Sequence, residues 1–413
     1  MRVPFLDLTR QTQSVLEEFL LSVRKLAKQN RFIGGAPVRE FEETFATYCG
    51  VPYCVAVNSG TDGLRLALIG AGVRPQDEVI TSPFTFAATT EAISQSGKLV
   101  LADIDPETFT LSTEAVKERL TDKTKVVLPV HIFGLPAAME KFVPFCQRNG
   151  LTIVEDACQA HGAEIRGRKV GSFGQSASFS FYPTKNLGGF GDGGAVTSQS
   201  EAVSFRIRRL GNHGEVKRYK HAEEGFNSRM DTFQAIALKL KLKFLDQWIE
   251  QRRSLAKLYH QELQSVDEVQ FQKEPAGCFH TYYVVAARVK RRSQLANYLA
   301  DLGIETRVIY PTPIHLLEAY SYLNHHPGDF PAAEKLCQQV LCFPVYPGMA
   351  EADVLKVSCS VREFGLSSGI VAREYSNSVA SDLPSQTRRN LARARGGVER
   401  ISGSSGAPFN LRP

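Results

Sequence analysis

Along the first half of the chain, apolar residues recur at helical spacing and, between those stretches, gather in short continuous runs. Phe41, Phe45 and Tyr48 fall at i, i+4 and i+7, which predicts a helix over Val38–Tyr48 stopped by Gly50. An earlier helical stretch passes through Val15, Phe19 and Val23, and Arg31–Gly35 reads as a turn. Apolar runs at Cys54–Val57, Glu78–Thr81, Leu99–Ile104, Val126–Ile132 and Leu151–Val154 predict strands. The last of these ends in two acids, Glu155 and Asp156. Ala177–Tyr182 alternates apolar and polar residues and reads as a further strand. Helical patterns lie between the strands: one carries Leu64, Ala67, Leu68 and Ala71, a second lies near Ala87–Gln95, and a third spans about Ala138–Arg148. Apolar strands separated by helices indicate a parallel sheet covered on both faces.

Beyond Thr197 the pattern changes. A helix carries Val203–Ile207, and a polar loop, Gly211–Ser228, follows. Asp231 stands as an N-cap with Gln234 at the capping-box position. Ile236, Leu240, Phe244 and Trp248 then recur every four residues in a helical pattern, open to a kink, that continues past Trp248 towards Leu263. Strand His280–Val289, helix Ser293–Leu302, strand Ile304–Tyr310 and helix Ala332–Leu341 form a small α+β part. This divides the chain into a large domain over 1–249 and a small C-terminal domain over 250–364. From 365 to 413 there are nine Ser, six Gly and no Lys, with few apolar residues at any period, so that stretch is expected to be a disordered tail.

Composition adds exclusions. Of the formal net charge of +6 over 413 residues, the tail supplies seven Arg against three acids, leaving the folded part nearly neutral. A nucleic-acid partner would need basic residues gathered on a folded face, so none is expected. The eight cysteines show no C-x-x-C pair, which argues against a zinc site or a disulfide framework. No signal sequence opens the chain and no apolar run is long enough to cross a membrane, so the expectation is a cytoplasmic protein with no membrane partner.

Polar residues collect where the strands end. In open parallel sheets, ligands sit outside the carboxyl ends of the strands. Those ends are Asn58-Ser59-Gly60, Pro83–Phe86, Asp103-Ile104-Asp105, His131 and Asp156. Just past Tyr182 a lysine lies in a glycine-rich loop, Pro183-Thr184-Lys185-Asn186-Leu187-Gly188-Gly189. A carboxylate, an amine and the free N–H groups of a helix start can together hold an aromatic aldehyde phosphate, which points to pyridoxal 5'-phosphate. Lys185 would bond to it, and Asp156 would keep the ring nitrogen protonated. Gln159 would meet the ring hydroxyl, Phe86 would stack on the ring, and Gly60, Thr61 and Ser180 would hold phosphate. Taken singly, each residue has a plain alternative: Lys185 as a surface lysine, Asp156 as a loop cap, Phe86 as core. The argument lies in their joint placement at successive strand ends. Cys158 reads as a small buried residue, and His131 and His161 stay open between structural and functional roles.

The segments SGTDGL (59–64), PFTFAAT (83–89), DIDPETF (103–109), EDACQAHGA (155–163), FSFYPTKNLGGFGDGGAV (179–196), NSRMD (227–231) and YPTPIHL (310–316) resemble, in unbroken order, the DegT/StrS-type sugar aminotransferases. The resemblance implies an α/β fold of the aspartate-aminotransferase-like type I, with a mostly parallel central sheet. It also implies transfer of an amino group from glutamate to a nucleotide-linked keto-sugar, with Lys185 as the Schiff-base lysine. It implies a homodimer with shared sites, in which Asn227 reaches the phosphate of the neighbouring subunit. His213, Arg229, Tyr310 and His315 would contact the nucleotide-sugar. The NSRMD and KRY segments point to C-3 of the hexose over C-4. Relatives acting on inosose or forming aminohydroxybenzoate share the lysine and stay open as alternatives, as does a non-catalytic, sugar-responsive regulator.

Overall fold

Seven strands build the central sheet: β1 (Tyr53–Val57), β2 (Glu78–Thr81), β3 (Lys98–Leu101), β4 (Thr124–Val127), β5 (Thr152–Asp156), β6 (Ser176–Ser180) and β7 (Gly194–Ser198). Their spatial order is β1-β7-β6-β5-β4-β2-β3, all parallel except β7, which runs antiparallel to both β1 and β6. The computed structural model that shows this describes residues 2–367.

Side chains alternate between two covered faces, as the pleat requires. Val79, Val126 and Val154 point into the core that also holds Leu64, Leu68 and Phe84. Their neighbours Ile80, Val127 and Ile153 point to the opposite side, against Phe142 and Phe145 of the helix Met139–Arg148. On β6, Ala177 and Phe179 pack on Phe41 and Phe45 of the helix Ala36–Cys49. That helix ends with Gly50 in the left-handed conformation, as its sequence predicted. The α/β type I architecture with a mostly parallel sheet is therefore observed.

The sheet brings the carboxyl ends of β1, β5 and β6 to one edge, and the amino end of β7 lies beside them: Gly194 pairs with both Val57 and Ser180. A second, antiparallel sheet of Val269–Phe271, Val285–Val289 and Val340–Phe343 serves the later part of the chain. The described chain up to Arg362 forms one compact unit. The expected 249/250 boundary falls inside the helix Leu245–Leu263 of that unit. Apart from 365–367, the expected tail over 365–413 lies outside the described residues.

Several elements differ from expectation. The kink left open in the long helix is a break at Lys243–Phe244, between Thr232–Leu242 and Leu245–Leu263. Asp231 makes no side-chain cap, and no capping box forms, because the Gln234 carboxamide accepts instead from the Phe190 N–H at 2.8 Å. The helix expected to reach Leu341 ends at Gln339, and the wholly buried Val340–Phe343 joins the second sheet. Ile304–Tyr310 is not a strand. Its strand-like pairing among the described residues is limited to the Val3–Ile304 and Arg307–Cys342 bridges, and it leads Val308, Ile309 and Tyr310 to the wall of a cavity.

Candidate active site

Two adjacent carboxylates end β5, and the pleat sends them to opposite sides. Glu155 is fully buried and saturated: it accepts from the N–H groups of Gly171 (2.9 Å), Phe173 (2.8 Å) and Gly174 (2.7 Å). The fourth partner is His131 Nε2 at 3.0 Å. His131 Nδ1 accepts from the Ala137 N–H, so Nε2 carries the ring proton and donates to Glu155. His131 is thus a structural residue. It ties β5 to the turn after β4, and its backbone N–H holds the Asp156 carbonyl at 3.0 Å.

Asp156 faces the cavity. Thr89 Oγ1 donates to its Oδ2 at 2.7 Å, and the Cys158 N–H reaches its Oδ1 at 3.1 Å. These donors are neutral, and Asp156 has no ion-pair partner among the described residues. A buried carboxylate held only by neutral groups is a place for a cation. A protonated ring nitrogen meets that requirement.

The opposite end of the cavity is the start of the helix Gly60–Gly70. Ser59 caps it, accepting from the Asp62 N–H at 3.2 Å. The N–H groups of Gly60 and Thr61, in the first turn, have no intrahelical acceptor. The helix start lies close against β6. A Cβ on Gly60 would come within 2.7 Å of Ser180 Cβ and 2.8 Å of Cys158 Sγ, and Ser178 Oγ donates to the Gly60 carbonyl at 2.9 Å. The half-buried Ser180 hydroxyl completes an anion cradle.

Lys185 lies between these two ends. Its Nζ sits 4.4 Å from the centre of the Tyr283 ring, while the flanking Asn186 Nδ2 donates to the Thr281 carbonyl at 2.9 Å. Gln159 is held at both termini of its carboxamide, Oε1 accepting from the Phe133 N–H at 2.8 Å and Nε2 donating to Tyr310 Oη at 3.0 Å. Only an N–H is left over to meet a ligand, which suits an acceptor such as a ring phenolate. Phe86 is 58 % exposed, its ring stacked on that of Tyr310 at an interplanar angle of 28° with centroids 6.0 Å apart. An exposed aromatic over a polar cavity offers a flat apolar wall to a planar ring.

Gly60, Thr61, Phe86, Asp156, Gln159, Ser180, Lys185 and Tyr310 line this one cavity of about 630 Å³. The residues fit pyridoxal phosphate in charge, shape and order. Electrostatics settle two neighbours. Burial pushes the Cys158 thiol well above its ordinary range, and Asp156 adds to this, so the thiol stays protonated. Burial, with the Lys185 charge second, pushes the His161 imidazole down to about 3, so it is neutral.

Four expected residues lie elsewhere. His315 is buried, with Nε2 3.1 Å from Glu334 Oε1 and its ring against Phe330, so it does not reach the cavity. His213, Asn227 and Arg229 are exposed on the polar loop, where His213 borders a separate surface hollow and Arg229 Nη1 donates to Asn212 Oδ1 at 2.9 Å. Conversely, Thr89, Tyr182, Asp192 and Tyr283 line the cavity without having been singled out. Thr89 was findable, one helical turn beyond Phe86. Tyr283 was not, since nothing in CFHTYYV marks which aromatic faces the lysine.

Comparison with known proteins agrees. The model of the DegT/DnrJ/EryC1/StrS aminotransferase family matches residues 13–362. The chain is 38 % identical to the dTDP-3-amino-3,4,6-trideoxy-alpha-D-glucose transaminase of Streptomyces venezuelae, over 88 % of this chain and 96 % of that one. It is equally 38 % identical to a protein of Geobacillus stearothermophilus called a pleiotropic regulatory protein, over 88 % and 99 %. Among solved structures, S. venezuelae DesV in complex with a ketimine intermediate matches with a TM-score of 0.86 and 38 % identity, covering 88 % of this chain and 98 % of that one.

Proposed function

Since the chain belongs to the DegT/DnrJ/EryC1/StrS aminotransferase family and is a pyridoxal-phosphate-dependent aminotransferase, we propose that it moves an amino group from glutamate to the ketone of a nucleotide-linked sugar. The observation that carries this reading is the single cavity shared by the Lys185 amine, the Asp156 carboxylate and the helix start at Gly60.

Pyridoxal phosphate supplies an aldehyde that bonds to amines and a ring that delocalises the electron pair left when a neighbouring proton departs. The chain does the rest. Asp156, fixed by Thr89 and Cys158, holds positive charge at the ring nitrogen. The N–H groups of Gly60 and Thr61 and the Ser180 hydroxyl hold the phosphate, and Gln159 donates to the ring hydroxyl. Phe86 covers one ring face and excludes water from it. Lys185 Nζ is the group that takes up and returns a proton beside the reacting carbon. Borohydride treatment of the loaded protein should label Lys185; a label elsewhere, or none, would overturn this assignment.

The sugar position is C-3 in this proposal, as in the names of several relatives, including the S. venezuelae transaminase. Incubation with 3-keto and 4-keto dTDP-sugars plus glutamate tests it, and amination only at C-4 would reject it. The name of the Geobacillus relative favours a second reading, a sugar-responsive regulator. A half-reaction separates the two: an aminotransferase converts bound pyridoxal phosphate when given glutamate alone, and a pure regulator leaves its spectrum unchanged.

The assembly proposed is a homodimer with shared sites. His213, Asn227 and Arg229 are exposed and do not line their own chain's cavity, which leaves them free to serve a neighbour's. The role of His315 as a sugar contact does not carry over into this proposal.

A further inference from the structure

The loop that carries Lys185 is not held by its own backbone alone. It is closed on itself, since a Cβ on Gly188 would meet the Pro183 carbonyl at 2.2 Å. Its far side lies on the helix Thr232–Leu242. Gln234 Oε1 accepts from the Phe190 N–H at 2.8 Å, and its carboxamide presses on two glycines, so that a Cβ on Gly189 or on Gly191 would come within 2.7 Å of it. Two turns along the same helix, Lys241 Nζ donates to the Gly188 carbonyl at 2.8 Å and sits 4.1 Å from the centre of the Phe190 ring.

Lys241 is the unusual member. It is 6 % exposed and has no carboxylate partner among the described residues, so its amine is satisfied by one carbonyl and one aromatic face. Leucine or methionine would fill similar space without burying an amine. What those residues lack is a directional donor on the Gly188 carbonyl, three residues after the reacting lysine.

We propose that Gln234 and Lys241 are positioning residues: the helix Thr232–Leu242 acts as a template that sets where Lys185 Nζ stands relative to Asp156 and to the helix start at Gly60. The inference rests on the reading of Lys185 as the cofactor-bonding residue, and it assigns to the surrounding chain the task of aiming it. A side chain in a turn keeps its place only as well as the turn does, and loss of a buried donor frees the carbonyl it held.

The test uses the full chain with Lys241→Met, Lys241→Arg and Gln234→Ala beside the wild type. Circular dichroism first establishes which variants are folded. Pyridoxal phosphate affinity is then read by fluorescence, and the pH midpoint of the visible band of the loaded protein by absorbance titration. Both readouts are independent of turnover. K241M and Q234A are expected to weaken cofactor affinity about tenfold, the scale of one lost buried hydrogen bond. They are also expected to move the titration midpoint by about half a pH unit or more. K241R, which restores a donor, should recover most of both. If K241M does not fold, Q234A carries the decision. A folded K241M or Q234A that matches the wild type in affinity and midpoint would overturn the template role, even with lowered thermal stability. Borohydride labelling of the wild type separates this from the parent reading. Labelling at Lys185 with unmoved variants rejects only the template, and absence of that label rejects both.

Discussion

Thr89 donates its hydroxyl to Asp156 Oδ2 at 2.7 Å, which ties the helix after β2 to the carboxylate at the end of β5. That proton being spent, the 2.7 Å contact between Thr89 and Thr85 has Thr85 as the donor, giving a one-way relay towards the carboxylate. Hydrogen bonds to a buried charge are among the stronger ones, about 1.5–3 kcal/mol. Thr89→Val keeps the shape and deletes the donor. It should lower pyridoxal phosphate affinity by about tenfold or more and slow the glutamate half-reaction. Titration of cofactor into the variant, beside Thr85→Val as a milder control, checks this.

Gly60→Ala tests the anion cradle separately from the ring site. The added Cβ would lie 2.7 Å from Ser180 Cβ and 2.8 Å from Cys158 Sγ, so the helix start must move away from β6. Overpacking of this kind costs about 1–3 kcal/mol. The displaced N–H groups should lose the phosphate, while Asp156 and Phe86 still receive the ring. Affinity for pyridoxal phosphate should fall by about tenfold, with affinity for unphosphorylated pyridoxal little changed. Equal losses for both would show that the cradle does not hold the phosphate.

The chain made its sheet legible because buried strands on both faces leave unbroken apolar runs, and because the site residues sit at the ends of those runs. Asp156 and Gly60 could be placed by that rule, and Lys185 by the glycine-rich loop that follows the next strand. Other features depended on partners that no local pattern announces. Gln234 has the spacing of a capping box, yet the Phe190 N–H offers its side chain a buried partner, and the cap is not made. His315 sits in a motif shared with a family, but in this fold Glu334 and Phe330 enclose it. Val340–Phe343 continues a helical pattern and nonetheless becomes a strand, since an open edge at Val285–Val289 can take its backbone groups. Each departure is a tertiary contact overriding a local preference.

Shared sites in the proposed homodimer can be read by complementation. Lys185→Ala and Arg229→Ala chains would each be inactive alone. Co-expressed, half of the dimers should be mixed, and in those one site would combine an intact Lys185 with an intact Arg229 from the other chain. About a quarter of wild-type activity per chain should return. If Arg229 serves its own chain's cavity, every site keeps one defect and nothing returns. Asn227→Ala in place of Arg229→Ala repeats the test at the phosphate end.

Acid stability provides a check on the core beneath the lysine. His161 is fully buried between Phe179 and Phe181, and burial together with the Lys185 charge brings its imidazole down to about 3. In the unfolded chain a histidine titrates near 6.5. Between those two values the unfolded state binds a proton that the folded state refuses, so folding stability is intact above about 6.5 and declines as pH falls towards 3. One such group contributes a slope of up to about 1.4 kcal/mol per pH unit. His280, pushed well below its usual value by burial and then by Arg253, works in the same direction. His161→Phe removes one of these groups and fills the same apolar slot. Its unfolding free energy, measured against the wild type, should be offset by a constant above pH 7 and then gain on the wild type at about 1.4 kcal/mol per unit from pH 6 to pH 4.5. The carboxylates titrate alike in both proteins and cancel in the difference. A difference that stays flat across that window would mean that His161 takes up its proton in the folded state, and so is not enclosed as described.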